Sequence, residues 1–308
     1  MKGNKQRLIV ILGPTAVGKT EISLRLAERF KGEIVSADSR LFYIGMDIGT
    51  AKPSLEDRAH IQHHLIDVAP PDEDWSLALY LPRALNAIRD IQDRGKLPFL
   101  VGGTGQYIQA VVQGWDLPDI QPDPALRGIL TRWADEVGVD GLKNRLQVMD
   151  PQAAAGIDGP NLRRIVRALE VILSSGQRFS DQRRQEASPF QVLQIGLIRP
   201  RKELYQRVDQ RVEKMLEDGL VAEVSRLLEE GYSPKLSALS AIGYKQISSY
   251  LLDQCTLEEA VRQIKSKTRK FVRHQANWFQ ADDPEIHWFC ASDDPFEEIC
   301  QKVQQFLS

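Results

Sequence analysis

The order of hydrophobic and polar positions divides this chain into strand–helix alternation at both ends and a helical stretch between them. Leu8–Leu12 is an unbroken apolar run, the mark of a strand covered on both faces. Glu21–Phe30 follows with Ile22, Leu26 and Phe30 one turn apart, which predicts an amphipathic helix closed by Lys31-Gly32. Glu33–Ala37 predicts a short strand, Ser76–Asp93 a helix, Leu97–Val101 a strand and Gln106–Val112 a helix. Alternation of this kind implies an α/β fold with a parallel sheet flanked by helices. Near residue 115 the pattern changes. Leu117-Pro118-Asp119 and Gln121-Pro122-Asp123-Pro124 read as a linker. From Ala125 to about Arg184 helical periodicity dominates, as in Leu126–Val137 and Leu162–Leu173. Val192–Ile198 predicts a buried strand again. Arg201–Leu216 places Leu204, Val208, Val212 and Met215 on one helical face. Leu257–Phe279 predicts a long helix, Ile286–Phe289 a last strand and Asp294–Leu307 a terminal helix. Residues 1–118 and 191–308 are therefore expected to form one α/β core, with 119–190 as a helical insertion domain.

Composition narrows the class. Hydrophobic residues make up 42% and charged residues 27%, ordinary for a globular protein. No apolar run approaches the ~20 residues of a membrane span, so no membrane association is expected. MKGNKQR meets the first strand within a few residues, which leaves no room for a signal peptide. Cys255, Cys290 and Cys300 form no C-x-x-C pair, which suits a reducing compartment and offers no zinc site. A cytoplasmic protein is expected. The net charge is only −2, but the cations are grouped. Arg163, Arg164, Arg167, Arg178, Arg183 and Arg184 have only Glu170 and Asp181 beside them. Arg199, Arg201, Lys202, Arg207, Arg211 and Lys214 form a second block, and Arg262, Lys265, Lys267, Arg269, Lys270 and Arg273 a third. Such clusters fit either a phosphate-backbone track or solvated helix faces.

The chemistry is concentrated at strand ends. Gly13-Pro14-Thr15-Ala16-Val17-Gly18-Lys19-Thr20 matches G-x-x-x-x-G-K-[ST] and lies between the first strand and the first helix. Backbone N–H groups and the helix N-terminus favour an anion there, Lys19 adds a full charge, and the Thr20 hydroxyl can ligate Mg²⁺. A di- or triphosphate ligand is expected. Ligands of parallel sheets bind at the C-terminal ends of strands, so Gly13, Asp38 and Thr104 are expected to converge on one crevice. A nucleotide hydrolase usually adds an apolar strand ending in an acid; Leu97–Val101 ends in Gly102-Gly103-Thr104 instead, and His64–Asp67 is a weak substitute. Asp38 reads as a proton acceptor or as a turn cap with Ser39, and position alone leaves both open. Thr104 reads as a ligand-facing hydroxyl or a plain turn residue. His60, His63 and His64 lack a fourth ligand at sensible spacing. Trp278, Phe279, Trp288 and Phe289 read as core.

Three further segments point to a family. GPTAVGKT, SADSRLFYIGMDIGTAKP (Ser36–Pro53) and LVGGTGQY (Leu100–Tyr107) resemble the tRNA dimethylallyltransferases, also called tRNA isopentenyltransferases. RALEV (Arg167–Val171), RVDQRVEKML (Arg207–Leu216) and SAIGYKQ (Ser240–Gln246) extend the resemblance over nearly the whole chain. It implies a P-loop NTPase-like parallel sheet with a helical insertion that grips an anticodon stem. It implies transfer of a dimethylallyl group from dimethylallyl diphosphate to N6 of the adenosine 3′-adjacent to the anticodon, with Mg²⁺. Under it Gly13–Thr20 hold the diphosphate, Thr20 ligates the metal and Arg211 reaches the same diphosphate. Asp38 takes the amine proton, with Thr104 beside it. The implied tRNA contacts are Asp38, Ser39, Arg40, Leu41, Thr104, Arg127, Arg163, Arg164, Arg167, Ser240, Ala241, Ile242, Gly243, Tyr244 and Lys245. Eukaryotic members carry a C-terminal zinc finger; this chain has none and is expected to be of bacterial type and monomeric. Three rivals remain at this point: a small-molecule phosphotransferase with residues 160–184 as an arginine lid, an enzyme prenylating free AMP or ADP, and a non-catalytic RNA-binding module.

Overall fold

Residues 6–118, 120–182, 188–280 and 282–308 are described by a computed structural model. Arg183 and Arg184 of the first basic cluster and the linker residue Asp119 lie outside the described residues. The glycine loop joins β1 (Gln6–Leu12) to α1 (Lys19–Arg29), and β2 (Gly32–Ser36) follows. After them come α2 (Leu55–His60), the short β3 (His63–His64), α3 (Leu77–Asp93), β4 (Leu97–Gly102) and α4 (Gly105–Val112). Then α5 (Pro124–Met149), α6 (Pro151–Ala155), α7 (Leu162–Ser175) and α8 (Phe179–Gln182) follow one another with no strand between them among the described residues. The last third holds β5 (Phe190–Ile198), α9 (Arg201–Glu217), α10 (Leu220–Glu229), α11 (Tyr244–Leu251), α12 (Leu257–Gln275), β6 (Ile286–Cys290) and α13 (Phe296–Leu307). Two compact units result: Met1–Val112 with Ser188–Ser308, and Gln113–Ala187.

In the first unit the sheet order is β3-β2-β4-β1-β5-β6, with every neighbouring pair parallel. β1 lies between β4 and β5, and Leu8–Leu12 are fully buried, which explains the unbroken apolar run. Ile9, Ile11, Leu193, Ile195 and Leu197 of the sheet pack with Ile22 and Leu26 of α1, Leu204 and Val208 of α9, and Ile299 and Val303 of α13. A second cluster lies under α9 to α12, where Val212, Leu220, Val224, Leu227, Tyr244, Ile247, Ala260 and Ile264 bury Tyr43 and Met46. The sheet is of the P-loop NTPase-like kind.

The elements differ from the sequence expectation at the end of α12 and over α10 and α11. α12 ends at Gln275 rather than Phe279. The chain turns there so that Trp278 fills the space where a Cβ on Gly105 would stand, with its Cγ 2.3 Å from that point. α10 and α11 occupy a segment where no element was expected. α10 carries its apolar residues at Leu220, Val224 and Leu227, a period too short-lived to stand out against Glu223, Glu229 and Glu230.

The second unit is held by Leu130, Ala134, Leu142, Leu146, Ile165, Leu169 and Ile172. α5 breaks at Gly138, at φ 77°, immediately after the periodic segment ends at Val137. Asp123, Asp150 and Asn161 cap the N-termini of α5, α6 and α7 with their side chains.

Candidate active site

The loop Gly13–Thr20 turns from β1 into α1 with Gly13 at φ 147°, Ala16 at φ 67° and Gly18 at φ 115°. Two arginines of the second basic block hold its back. Arg207 Nε donates to the Ala16 carbonyl at 2.8 Å, and Arg199 Nε donates to the Val17 carbonyl at 2.8 Å. In a trans peptide the next N–H points opposite the carbonyl, so these bonds turn the N–H groups of Val17 and Gly18 away from the arginines. The amides of Gly18, Lys19 and Thr20 form no hydrogen bond within the described residues. They sit at the positive end of α1, the arrangement that suits an anion. Thr15 does not contribute its amide to this cradle, because its N–H donates to Gln275 Oε1 at 2.8 Å. Arg199 and Arg207, grouped with a possible RNA track by sequence, are loop supports here.

Lys19 folds over the loop, and its Nζ donates to the Gly13 and Pro14 carbonyls at 3.0 and 2.9 Å. Burial pulls its pKa down to about 8; Asp38 pulls it up and Arg211 pushes it down. Arg211 is itself lowered by burial, with Asp38 acting the other way. Lys19, Asp38 and Arg211 therefore share one electrostatic environment.

Arg211 NH2 donates to the Thr50 carbonyl at 3.3 Å. The stretch around Thr50 is fastened by a carboxylate that sequence reading overlooked. Glu223, buried on α10, accepts from the amides of Asp47, Ile48 and Gly49 at 2.9, 2.8 and 3.2 Å and from the Tyr244 hydroxyl at 2.6 Å. Lys52 fastens the other end, donating to the Tyr43 carbonyl and to Asp47 and Asp67.

β2 and β4 bring Asp38 and Thr104 together. The Ala37 amide donates to the Val101 carbonyl at 2.8 Å, and the Thr104 amide donates back to the Ala37 carbonyl at 3.2 Å. A Cβ on Gly102 would lie 2.2 Å from that Ala37 oxygen, so only glycine permits the approach. Asp38 Oδ1 accepts from the Arg40 amide at 3.0 Å, which realises the turn-cap reading. Its Oδ2 has no partner among the described residues and keeps the proton-acceptor reading available. Thr104 Oγ1 accepts from the Ser39 amide at 3.2 Å, so the hydroxyl hydrogen stays free for another acceptor. Tyr107 lies beside this wall, stacked on Tyr80 with centroids 4.2 Å apart. Burial pushes its hydroxyl up to about 12, with Tyr43 and Asp38 adding to the rise.

The donor chemistry fits a hard cation such as Mg²⁺ in a limited way. The Thr20 residue is exposed at the N-terminus of α1, and among the described residues no group of three or more His, Cys, Asp or Glu side chains could hold a metal. An ion held here would have to take most of its oxygens from phosphate and water. The histidines are spread over separate partners: His60 faces Glu28, His63 the Ile61 carbonyl and His64 Glu33.

The expected RNA-facing residues divide sharply. In the second unit Glu170 is fully buried and binds two of the arginines. Arg127 Nε and NH2 reach its oxygens at 2.8 and 2.9 Å, and Arg167 NH1 at 2.6 Å. Burial pushes the Glu170 carboxyl up, but these bonds and one from the Asp123 amide hold it below its ordinary range. Arg127 and Arg167 thus have a structural partner in Glu170. Arg163 and Arg164 are exposed and have no ion pair among the described residues. In the first unit Ser240 and Lys245 are exposed and Ile242 is half-buried, whereas Ala241, Gly243 and Tyr244 are buried. Tyr244 serves Glu223, so its side chain belongs to the interior. Arg40 is tied to the Ser237 carbonyl at 3.0 Å, and Ser39 and Leu41 are partly buried beside it. In the third basic block Lys265 pairs with Glu213 and Arg269 with Asp209, and Arg273 NH1 donates to the Tyr205 hydroxyl.

No helix among the described residues is long and apolar enough to cross a membrane. The family model described as IPP transferase matches residues 41–282, a span that excludes both the glycine loop and Asp38. A tRNA dimethylallyltransferase of Roseiflexus sp. (strain RS-1) is 52% identical over 273 residues, covering 89% of this chain and 90% of that protein. The crystal structure of the full-length tRNA isopentenylpyrophosphate transferase from Bacillus halodurans is similar with a TM-score of 0.73 at 40% identity, covering 98% of this chain and 96% of that one. A eukaryotic dimethylallyltransferase acting on tRNA gives a TM-score of 0.77 at 28% identity, covering 93% of this chain and 74% of that one. The family model spans well over half of the chain and these relatives cover most of its length, so the protein belongs to the IPP transferase family.

Proposed function

We propose that this protein transfers a dimethylallyl group from dimethylallyl diphosphate to N6 of the adenosine 3′-adjacent to the anticodon of tRNA, releasing diphosphate. The convergence of Lys19 and Arg211 with Asp38 carries this reading: cations for a departing anion stand beside an acid for an arriving amine. The adenine N6 attacks the first carbon of the prenyl group, and the bond from that carbon to the bridging oxygen breaks. The electron pair leaves with the diphosphate, held by the amides of Gly18, Lys19 and Thr20, by the Lys19 ammonium and by Arg211. Asp38 accepts the proton that N6 loses, through the oxygen not used by the Arg40 amide. Thr104 orients the amine or the bridging oxygen with its free hydroxyl hydrogen. The Thr20 hydroxyl would hold Mg²⁺, which when bound would supply further charge neutralisation on the diphosphate.

The adenosine must leave its stack to reach this wall, at the cost of unstacking that RNA-modifying enzymes meet with backbone contacts. Arg163 and Arg164 from the insertion and Ser240 and Lys245 from the core support that role through their exposure. A single chain supplies every group named, in keeping with a monomer, and a tRNA substrate fits a cytoplasmic enzyme. The arginine-lid alternative loses Arg167, which is committed to Glu170. The test is incubation with Mg²⁺, dimethylallyl diphosphate and bulk tRNA, followed by nucleoside mass spectrometry. N6-(dimethylallyl)adenosine at the position 3′ of the anticodon is expected. ATP turnover without prenylation, or equal prenylation of free AMP, overturns the reading.

A further inference from the structure

Gln275, the last residue of α12, joins two loops of the candidate site. Its Oε1 accepts from the Thr15 N–H at 2.8 Å, and its Nε2 donates to the Gly103 carbonyl at 3.0 Å. The residue is 4% exposed. Its partners fix the amide orientation, since a backbone N–H only donates and a carbonyl only accepts. The pairing needs one acceptor and one donor at the tip of a side chain of this length. An ionised Glu has no donor, Lys has no acceptor and Met has neither strong group. Gly103 makes room for the amide: a Cβ there would lie 2.4 Å from Gln275 Nε2. Thr15 belongs to the loop that ends in Lys19 and Thr20, and Gly103 precedes Thr104. One buried amide therefore ties the anion cradle to the wall carrying Asp38 and Thr104.

We infer that Gln275 is a positioning residue for prenyl transfer, one that sets the offset between the diphosphate cradle and the Asp38–Thr104 wall without touching a reacting atom. The inference rests on the cradle reading given above. Transfer between two held substrates is sensitive to such an offset, since a misplacement of about 1 Å costs about 100-fold in rate. The two ends of the amide have separable effects. The Thr15 end shapes donor binding, and the Gly103 end sets the approach of the accepting wall.

The test measures kcat, donor KM, tRNA KM and thermal melting for the full chain carrying Gln275→Met or Gln275→Glu. Gln275→Met releases both walls. Its donor KM is expected to rise about tenfold and its kcat to fall about 100-fold, with tRNA KM unchanged. Gln275→Glu keeps an acceptor for Thr15 and loses the donor for Gly103. Its donor KM is expected to stay near the parent value while its kcat remains depressed. The proposal fails if both variants keep donor KM and kcat within about twofold of the parent. It also fails if they lose tRNA affinity alone, or if both lose every parameter alike in step with melting. Lys19→Ala run in parallel reports on the cradle by itself. An unchanged donor KM there removes the cradle, whereas a raised one with no effect at Gln275 removes the clamp.

Discussion

Replacing Asp38 by Asn separates the two tasks that the structure gives this residue. The Asn side-chain oxygen still accepts from the Arg40 amide, so the turn now closed at 3.0 Å persists and melting stays close to the parent. The charge and the proton-accepting oxygen are lost. Removal of a positioned general base costs about 10²–10⁴-fold in turnover, so kcat for prenyl transfer is expected to fall by at least about 100-fold with tRNA affinity retained. A second effect follows from the electrostatics. The Asp38 carboxylate supports the Lys19 ammonium against burial, which has already pulled that group down to about 8. Without it Lys19 loses its proton at lower pH still. The descending limb of kcat/KM for the donor therefore moves to lower pH in Asp38→Asn. Initial rates with labelled donor and an anticodon stem-loop, taken across the pH range, measure both effects. Turnover within about threefold of the parent removes Asp38 from proton transfer. A limb that stays put or moves upward refutes the shared environment of Asp38 and Lys19.

The parent enzyme has its own pH signature: Lys19 is charged below its depressed value and neutral above it, so kcat/KM for the donor is expected to fall as pH rises through about 8, as read from a pH–rate profile. Glu223→Ala leaves the amides of Asp47, Ile48 and Gly49 and the Tyr244 hydroxyl without their acceptor, a loss of about 2–4 kcal/mol that denaturant unfolding would register. Arg163→Ala and Arg164→Ala are each expected to reduce the slope of log Kd for tRNA against log salt by about one, without loss of stability. Arg167→Ala is expected instead to destabilise the second unit by about 1–3 kcal/mol, because Glu170 keeps only Arg127 as its cationic partner. An Arg167→Ala protein of parental stability with a flattened salt slope reverses that assignment.

The legible parts of this chain are those whose signal is local. Leu8–Leu12 is apolar throughout because neighbours on both sides bury it, and the glycine loop has to follow such a strand to face a ligand. Asp38 and Thr104 were readable as partners because strand ends in a parallel sheet meet at one edge. The partners within the basic clusters were illegible for the opposite reason. Asp209 and Glu213 on α9 neutralise Arg269 and Lys265 on α12, more than fifty residues away, which no inspection of one block reveals. Gln275 and Glu223 were invisible for a related reason. Each is a polar residue on an amphipathic helix, and in sequence it looks like any solvated position. Only packing turns it inward. The loop roles of Arg199 and Arg207 likewise depend on carbonyls that acquire direction only once the chain has turned.

The contact of Gly102 with the Ala37 carbonyl sets how the mouth of this enzyme can vary. Main chain presses on main chain beneath Asp38 and Thr104, so a side chain in place of Gly102 would pry that floor apart. Strands in a sheet lie about 4.8 Å apart, and the acid and the hydroxyl inherit their separation from that spacing. Drift in the surrounding residues can then retune which RNAs are admitted while the reacting geometry stays as it is.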